Sequence, residues 1–154
     1  FMPSQFIQRQ KDDFFRDITS FGSLWFYIIF MIFFLILKDY PSLKVLLSGF
    51  ILIYLAVIIM RSLYFKNRPI KYSYANAIEK LDASSFPSLH AARTIFLTIF
   101  FVGFFNNPYM LALLVILALV VLYSRIYLKK HDWKDILGGL LIGILAYFSI
   151  TFIY

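Results

Sequence analysis

Long apolar runs without charge alternate with short polar segments along the chain. Residues 21–37, 45–60 and 136–154 carry no charged side chain. Each run approaches the ~20 residues that an α-helix needs to cross ~30 Å of hydrocarbon. Lysines and arginines beside the runs can extend their charged ends to the membrane surface. The pattern therefore predicts membrane-spanning helices.

A fourth run, residues 94–124, is also free of charge but is too long for one ordinary crossing. The sequence Asn106-Asn107-Pro108 interrupts it, and an Asn-Pro step is a turn signal that disfavours helix before the proline. Long apolar runs exclude the alternating strands of a membrane barrel. We therefore predict an all-α polytopic bundle with five transmembrane helices, at about 20–38, 43–62, 87–105, 109–124 and 132–153.

The segments outside these runs complete the predicted bundle, which is a single membrane-embedded domain over residues 1–154. Residues 5–19 mix apolar and charged side chains, which indicates an N-terminal helix lying on the membrane surface (interfacial segment 1–19); a flexible tail is the alternative. In the last helix, Gly139 and Gly143 form a small-xxx-small pair suited to close helix packing.

Composition supports a membrane location. Hydrophobic residues make up 62% of the 154 residues and charged residues 15%, against about 45–50% and 25% in soluble domains. The net charge is +7, and the positively charged side chains lie between apolar segments. Lipid headgroups and phosphates are therefore better partners than nucleic acid. The sequence has no cysteine, which excludes thiol chemistry. It gives no prediction of oligomeric state.

Counting crossings places the N-terminus and the loops 64–85 and 125–134 at one membrane face. Three polar clusters meet there. They are Arg61 with Arg68-Pro69, the segment Phe86-Pro87-Ser88-Leu89-His90, and Ser124-Arg125 followed by His131 and Asp135.

These residue types suit phosphoryl transfer without a metal ion or cofactor. Arg68 and Arg125 offer bidentate donors for phosphate oxygens, and Arg61 offers a third cation. The Ser88 hydroxyl and the N–H groups at helix starts offer further donors. His131 and Asp135 are spaced i,i+4 and share one face of a helix, so the carboxylate can orient a nucleophilic imidazole. The second imidazole, His90, can protonate the leaving oxygen.

The motifs Arg-x6-Arg-Pro, Pro-Ser-x-His and Ser-Arg-x5-His-x3-Asp, in this order, resemble the three-part signature of the type 2 phosphatidic acid phosphatase family. The site of that family is similar to those of vanadium haloperoxidases and glucose-6-phosphatase. The resemblance implies that His131 forms a phosphohistidine, that Asp135 orients it and that His90 is the general acid. The residues implied to hold phosphate are Arg61, Arg68, Ser88, Leu89 through its backbone N–H, Ser124 and Arg125.

Two positions depart from the family pattern: Arg61 stands where lysine is usual, and Leu89 stands where glycine is usual. Arg93 lies one turn past His90, where a charge must be paired or face water. We expect it to bind a lipid headgroup or to brace a carboxylate such as Asp135 or Asp82. Asp132 is the alternative orienting carboxylate, although on a helix it points away from His131. Lys66 is interpreted as a topology anchor.

The resemblance implies an integral membrane lipid phosphatase. Candidate substrates are lipid A 1-phosphate, polyprenyl diphosphate, phosphatidylglycerophosphate and phosphatidate. A small transporter or channel, or a catalytically inactive lipid-binding relative, is the alternative. We expect a multi-pass plasma (inner) membrane protein. The many cations at the catalytic face favour the cytoplasm, but phosphate binding accounts for several of them, and many bacterial relatives face the periplasm. We therefore expect a periplasmic site.

Overall fold

The computed structural model describes residues 3–70 and 73–153, and this part of the chain is helical without strands. Seven α-helices follow one another in the order α1 to α7, and a 3-10 turn, Thr19–Gly22, separates the first two. Their bounds are Pro3–Ile18, Leu24–Ile36, Tyr40–Leu63, Ala77–Ala83, Leu89–Phe105, Pro108–Tyr127 and Trp133–Ile153. The all-α class is therefore confirmed.

The helix ends follow from short polar side chains between the apolar runs. Ser23, Asp39, Asn76, Ser88 and Asn107 each accept a hydrogen bond from a backbone N–H in the first turn of the helix that follows. Such a cap satisfies a donor that has no partner within the helix. The predicted break at residues 106–108 is confirmed as the turn between α5 and α6.

The five-crossing count is not confirmed by helix length and apolarity. Three described helices, α3, α6 and α7, are long and apolar enough to cross a membrane. The α1–α2 pair, bent by 45°, makes a fourth if it counts as one span. Helix α5 is apolar but has only 17 residues. The count therefore falls short at α5 and at α2, which begins at Leu24 rather than near residue 20 because the preceding residues form the 3-10 turn.

Helix α5 lies at the centre of the bundle and contacts α3, α6 and α7. Its Phe96 is fully buried, and the ring packs on Gly49 of α3, where a Cβ atom would lie 2.1 Å from the Phe96 Cζ atom. The outer helix faces are apolar and exposed; Leu63 and Phe152, for example, are 81% and 92% exposed. Such faces need hydrocarbon around them. The chain is a membrane protein.

The small-xxx-small pair is confirmed as the contact between α5 and α7. A Cβ atom on Gly139 would lie 2.3 Å from the carbonyl oxygen of Ser88, and one on Gly143 would lie 2.4 Å from that of Ala92. Only glycine allows the two backbones to come this close. The contact holds the start of α5, with Ser88 and His90, beside the start of α7, with Asp135.

Candidate active site

His131 lies in the turn between α6 and α7, and its ring is buried. The His131 Nδ1 atom lies 3.6 Å from Asp135 Oδ2 and 3.4 Å from Ser85 Oγ. The Ser85 hydroxyl donates a short hydrogen bond to the same carboxylate oxygen. Because these contacts occupy the Nδ1 edge, Nε2 is the nitrogen left to react. Burial lowers the pKa of His131, against the opposing effect of Asp135, and so favours the neutral imidazole.

The His131–Asp135 pair is held by a helix start rather than by a shared helical face, because α7 begins only at Trp133. The backbone N–H of Asp132 donates to Asp135 Oδ2 at 3.0 Å, and the N–H of Asp135 donates to Asp132 Oδ1 at 3.0 Å. This reciprocal pattern is a capping box. Asp132 therefore caps α7, and Asp135 is the carboxylate that faces His131.

Lys66 forms an ion pair with each of the two carboxylates of this helix start. Its Nζ lies 2.6 Å from Asp132 Oδ2 and 2.7 Å from Asp135 Oδ1. Burial alone would lower the pKa of Lys66, but its hydrogen bonds to Asp132 and Asp135 outweigh burial and raise the pKa above the ordinary lysine value. Lys66 thus stays charged and balances a fully buried carboxylate. Its interpretation as a topology anchor is wrong.

His90 lies in the first turn of α5, and Arg93 lies beside it. Arg93 Nη2 is 3.3 Å from His90 Nδ1. The same guanidinium donates to the Gly22 carbonyl oxygen at 3.1 Å and to the Tyr54 hydroxyl at 2.7 Å. Arg93 is buried, and the contacts to Gly22 and Tyr54 fix its position against His90. The expected carboxylate partner, Asp135 or Asp82, is not among these contacts; Arg93 braces an imidazole instead.

Arg125 and Arg68 carry charges that act on the two histidines. Arg125 Nη1 donates to Thr19 Oγ1 at 3.0 Å, and Arg68 Nη2 donates to the Asp82 carbonyl oxygen at 2.6 Å. Each of the two arginines acts on both imidazoles, and the charge of His131 also acts on His90. The structure therefore brings both histidines and these two arginines into one electrostatic site.

Arg61, predicted as a third cation for phosphate, donates two hydrogen bonds to backbone carbonyl oxygens. It is buried at the end of α3, where Nη1 donates to the Leu81 carbonyl oxygen at 3.0 Å and Nη2 donates to that of Pro87 at 3.2 Å. These bonds join α3 to the segment that enters α5. Arg61 thereby supports the position of Ser88 and His90.

The predicted hydroxyl and backbone donors are placed at helix ends. Ser88 is buried and caps α5, with Oγ accepting from the Ala91 N–H at 3.3 Å; its hydroxyl hydrogen remains able to donate. Leu89 follows at the first helical position, where the N–H has no partner within the helix. Its φ is not positive, so this backbone does not require the usual glycine. The Ser124 hydroxyl donates to the Val121 carbonyl oxygen at 2.6 Å.

Sequence patterns did not reveal Lys66, Ser85 or Tyr54 as parts of this site. Lys66 and Ser85 lie 69 and 50 residues from Asp135 along the chain. Their contacts depend on the path of the 64–88 segment, for which no local spacing gives a signal. Within residues 3–70 and 73–153, no group of three His, Cys, Asp or Glu side chains has a geometry suited to holding a metal ion.

Residues 63–154, more than half of the chain, match the family model of the PAP2 superfamily. The chain belongs to the PAP2 superfamily. The predicted family is therefore confirmed. The PAP2 match includes Arg68, His90, Arg125, His131 and Asp135, whereas Arg61 lies just outside it.

The fold is also similar to the crystal structure of Aquifex aeolicus LpxE, with a TM-score of 0.74 and 24% sequence identity. The similarity covers 92% of this chain and 86% of the LpxE chain. At this identity the likeness shows a shared fold. A search of curated proteins finds no match.

Proposed function

We propose that this PAP2 protein is a membrane lipid phosphatase that transfers the phosphate of its substrate to His131. The observation that carries the proposal is the buried His131–Asp135 pair, with the carboxylate held by Ser85 and Lys66. A neutral imidazole fixed at Nδ1 is a suitable nucleophile through Nε2. Family membership supports the phosphatase assignment.

The first half of the proposed reaction forms a bond between His131 Nε2 and phosphorus and breaks the bond from phosphorus to the leaving oxygen. His90, as the imidazolium, gives its Nε2 proton to that oxygen and is left as the neutral imidazole. Arg68, Arg125, Ser88 and the Leu89 N–H stabilise the equatorial phosphate oxygens. Arg93, held by Gly22 and Tyr54, lies beside the His90 ring. These assignments follow the motifs and agree with the placement of both histidines beside the arginines.

The second half of the reaction releases inorganic phosphate. Water attacks phosphorus, the nitrogen–phosphorus bond breaks and His90 takes the proton from water. No step requires a metal ion or a cofactor. The candidate substrates are lipid A 1-phosphate, polyprenyl diphosphate, phosphatidylglycerophosphate and phosphatidate; the leaving group is a lipid hydroxyl or, for a diphosphate, a lipid phosphate.

We also propose a membrane arrangement for this reaction. Helices α2 and α5 cross together with α3, α6 and α7, which gives five spans with α1 on the surface. The loops 64–85 and 125–134, which we call the catalytic loops, then lie with α1 at the periplasmic face of the plasma (inner) membrane. The buried charges gather at one end of the bundle, around His90 and His131. A channel would need polar groups near the membrane centre, so this placement favours the enzyme.

Phosphate release by the purified protein tests the proposal. We expect release from at least one of the four candidate lipids with chelator present, inhibition by vanadate, and loss of turnover in His131→Ala and His90→Ala. Circular dichroism should show unchanged helix content in both variants. Rapid acid-free quenching with a ³²P-labelled lipid should trap an alkali-stable, acid-labile phosphoprotein in the wild type and none in His131→Ala. Normal turnover by His131→Ala would overturn the proposal.

A further inference from the structure

An apolar cavity of about 170 Å³ lies beside His90, between the 3-10 turn with α2 on one side and α5 and α6 on the other. Its apolar lining includes Phe21, Phe26, Phe30, Leu97, Phe101 and Ala118. A cavity of similar size lined by apolar side chains stays dry and binds a hydrocarbon such as benzene. Filling this space with part of a hydrocarbon chain is therefore favourable.

Gly22 connects this cavity to the catalytic centre. A Cβ atom at Gly22 would lie 2.6 Å from Thr94 Oγ1 and 3.3 Å from Val121 Cγ1, both of which line the cavity. The same Cβ atom would lie 3.2 Å from His90 Cδ2. The Gly22 carbonyl oxygen also accepts the Arg93 hydrogen bond. The catalytic imidazole and the cavity thus share one wall.

Thr94 is the polar residue nearest to His90 in the cavity lining, one helical turn further along α5. Its side chain is 6% exposed, and its hydroxyl has no hydrogen-bond partner among the described residues. By contrast, the Thr98 hydroxyl donates to the Thr94 carbonyl oxygen at 2.8 Å. A buried hydroxyl without a partner costs free energy. The oxygen now packs against Gly22 with almost no accessible surface, so an oxygen atom of a ligand would satisfy it once the Thr94 side chain turns toward the cavity.

We infer that this cavity binds an acyl chain of the substrate, and that Thr94 donates to the carbonyl oxygen of the ester linkage of that chain. The inference rests on the proposed lipid phosphatase activity and adds the kind of lipid. Phosphate at His90, an ester oxygen at Thr94 and a chain among the phenylalanines follow the order of groups in an acylated phospholipid. A polyprenyl phosphate has no ester oxygen to offer Thr94.

Ala118→Phe tests binding of the acyl chain, and Thr94→Val tests binding of its ester linkage. Ala118→Phe fills the cavity, and Ala112→Phe makes the same change on an exposed part of α6. For wild type and Ala112→Phe, we expect kcat/KM to rise at least tenfold from dibutanoyl to dioctanoyl phosphatidate. Ala118→Phe should lose that rise, so that its kcat/KM values for the two substrates are similar. Thr94→Val should lower kcat/KM about tenfold for ester-linked phosphatidate and leave the dialkyl ether analogue unchanged.

A binding measurement keeps this inference separate from turnover. A phosphatidate with a diazirine on its acyl chain should label α6 between residues 114 and 121 in wild type and in Ala112→Phe, but not in Ala118→Phe. Unlabelled phosphatidate should compete, and phosphatidylcholine should not. Labelling without any phosphate release would contradict the proposed function alone. Labelling that survives Ala118→Phe, or that phosphatidylcholine removes equally well, would overturn the cavity as a substrate site.

Discussion

Asp135 is a fully buried carboxylate whose partners come from three separate segments of the chain. Ser85 and Lys66 bind its two oxygens, and the Asp132 N–H adds a third hydrogen bond. A buried charge of this kind is costly unless it is paired and hydrogen-bonded. Lys66 is the only one of these partners with a positive charge. It therefore sets how much of the Asp135 charge is available to His131.

Replacing Lys66 with methionine should change the pH dependence of kcat/KM. In the wild type, burial lowers the pKa of His131. The imidazole proposed as the nucleophile should therefore stay neutral at pH values below the ordinary histidine pKa of about 6.5. Lys66→Met removes a positive charge, which leaves Asp135 freer to stabilise the imidazolium and raises the pKa of His131. We expect the acidic limb of the pH profile of kcat/KM to shift to higher pH by about one unit. Steady-state phosphate release measured from about pH 4 to about pH 9 gives the pH at which kcat/KM falls on the acidic side.

Matched variants separate this electrostatic effect from a loss of folding. Lys66→Arg keeps the charge and should keep the limb near its wild-type position. Lys44→Met removes an exposed lysine from the other end of α3 and should leave the profile unchanged. A Lys66→Met protein with lower activity but an unmoved acidic limb would show that Lys66 does not tune His131.

The contact between α5 and α7 is where helix packing determines site geometry. A Cβ atom at Gly143 would overlap the Ala92 carbonyl oxygen, and one at Gly139 would overlap that of Ser88. Backbone atoms cannot move aside as a flexible side chain can, so an added methyl group must push the helices apart. The Gly139 contact lies next to the Ser88 cap and therefore close to His90.

Gly143→Ala and Gly139→Ala should each destabilise the fold by about 1–3 kcal/mol. Gly139→Ala should also lower kcat more strongly than Gly143→Ala, because it separates His90 from the start of α7. Thermal unfolding in detergent and phosphate release measure the two effects. Gly103→Ala is the control, since its Cβ atom would meet only the Tyr147 hydroxyl at 3.4 Å. Alanine there should be neutral or slightly stabilising. Equal stability of all three variants would contradict this role of the α5–α7 contact.

Helix boundaries could be predicted where polar residues interrupt the apolar pattern. The break before Pro108 and the Ser88 cap are local signals, and both lie at helix ends. Helix α4, within the 64–85 loop, was not predicted, although Asn76 caps it and Glu79 accepts from the Ala75 N–H just before it, and both polar residues are visible in the sequence. The start of α2 has a local signal in its Ser23 cap, but the 3-10 turn before it could not be predicted in this way, because Gly22 fits against Thr94 and Val121 from distant helices.

The candidate site divides in the same way between local and long-range signals. The motifs placed His90, His131 and Asp135 together because each motif is short and lies at a helix end. The contacts of Lys66 and Ser85 with Asp135 join residues far apart in sequence, and they depend on how the loop before α5 folds back over α7. Arg61 has the residue type of a phosphate cation, but its neighbours direct its hydrogen bonds to carbonyl oxygens.

At the scale of the whole molecule, the proposed function requires the catalytic loops and the polar side of α1 to lie at one membrane face. Helix α1 is tied to the end of α6, where Gln8 Nε2 donates to the Tyr127 hydroxyl at 2.8 Å and that hydroxyl donates to Asp12 at 2.7 Å. Because α6 ends at the catalytic face, these bonds place α1 there too. The bend of 45° between α1 and α2 lets α1 turn away from the span.

Single-cysteine labelling should test this arrangement directly, because the chain contains no cysteine of its own. Asp13→Cys on α1 and Ser73→Cys in the catalytic loop should react with a membrane-impermeant maleimide from the periplasmic side of intact cells. Tyr109→Cys, at the start of α6, should react only in inverted vesicles. All three positions are exposed, and denatured samples control for reactivity. Labelling of Asp13→Cys and Ser73→Cys from opposite sides would contradict the shared face. Labelling of both only in inverted vesicles would keep that face and move the site to the cytoplasm, where the cations of the catalytic loops would follow the positive-inside rule.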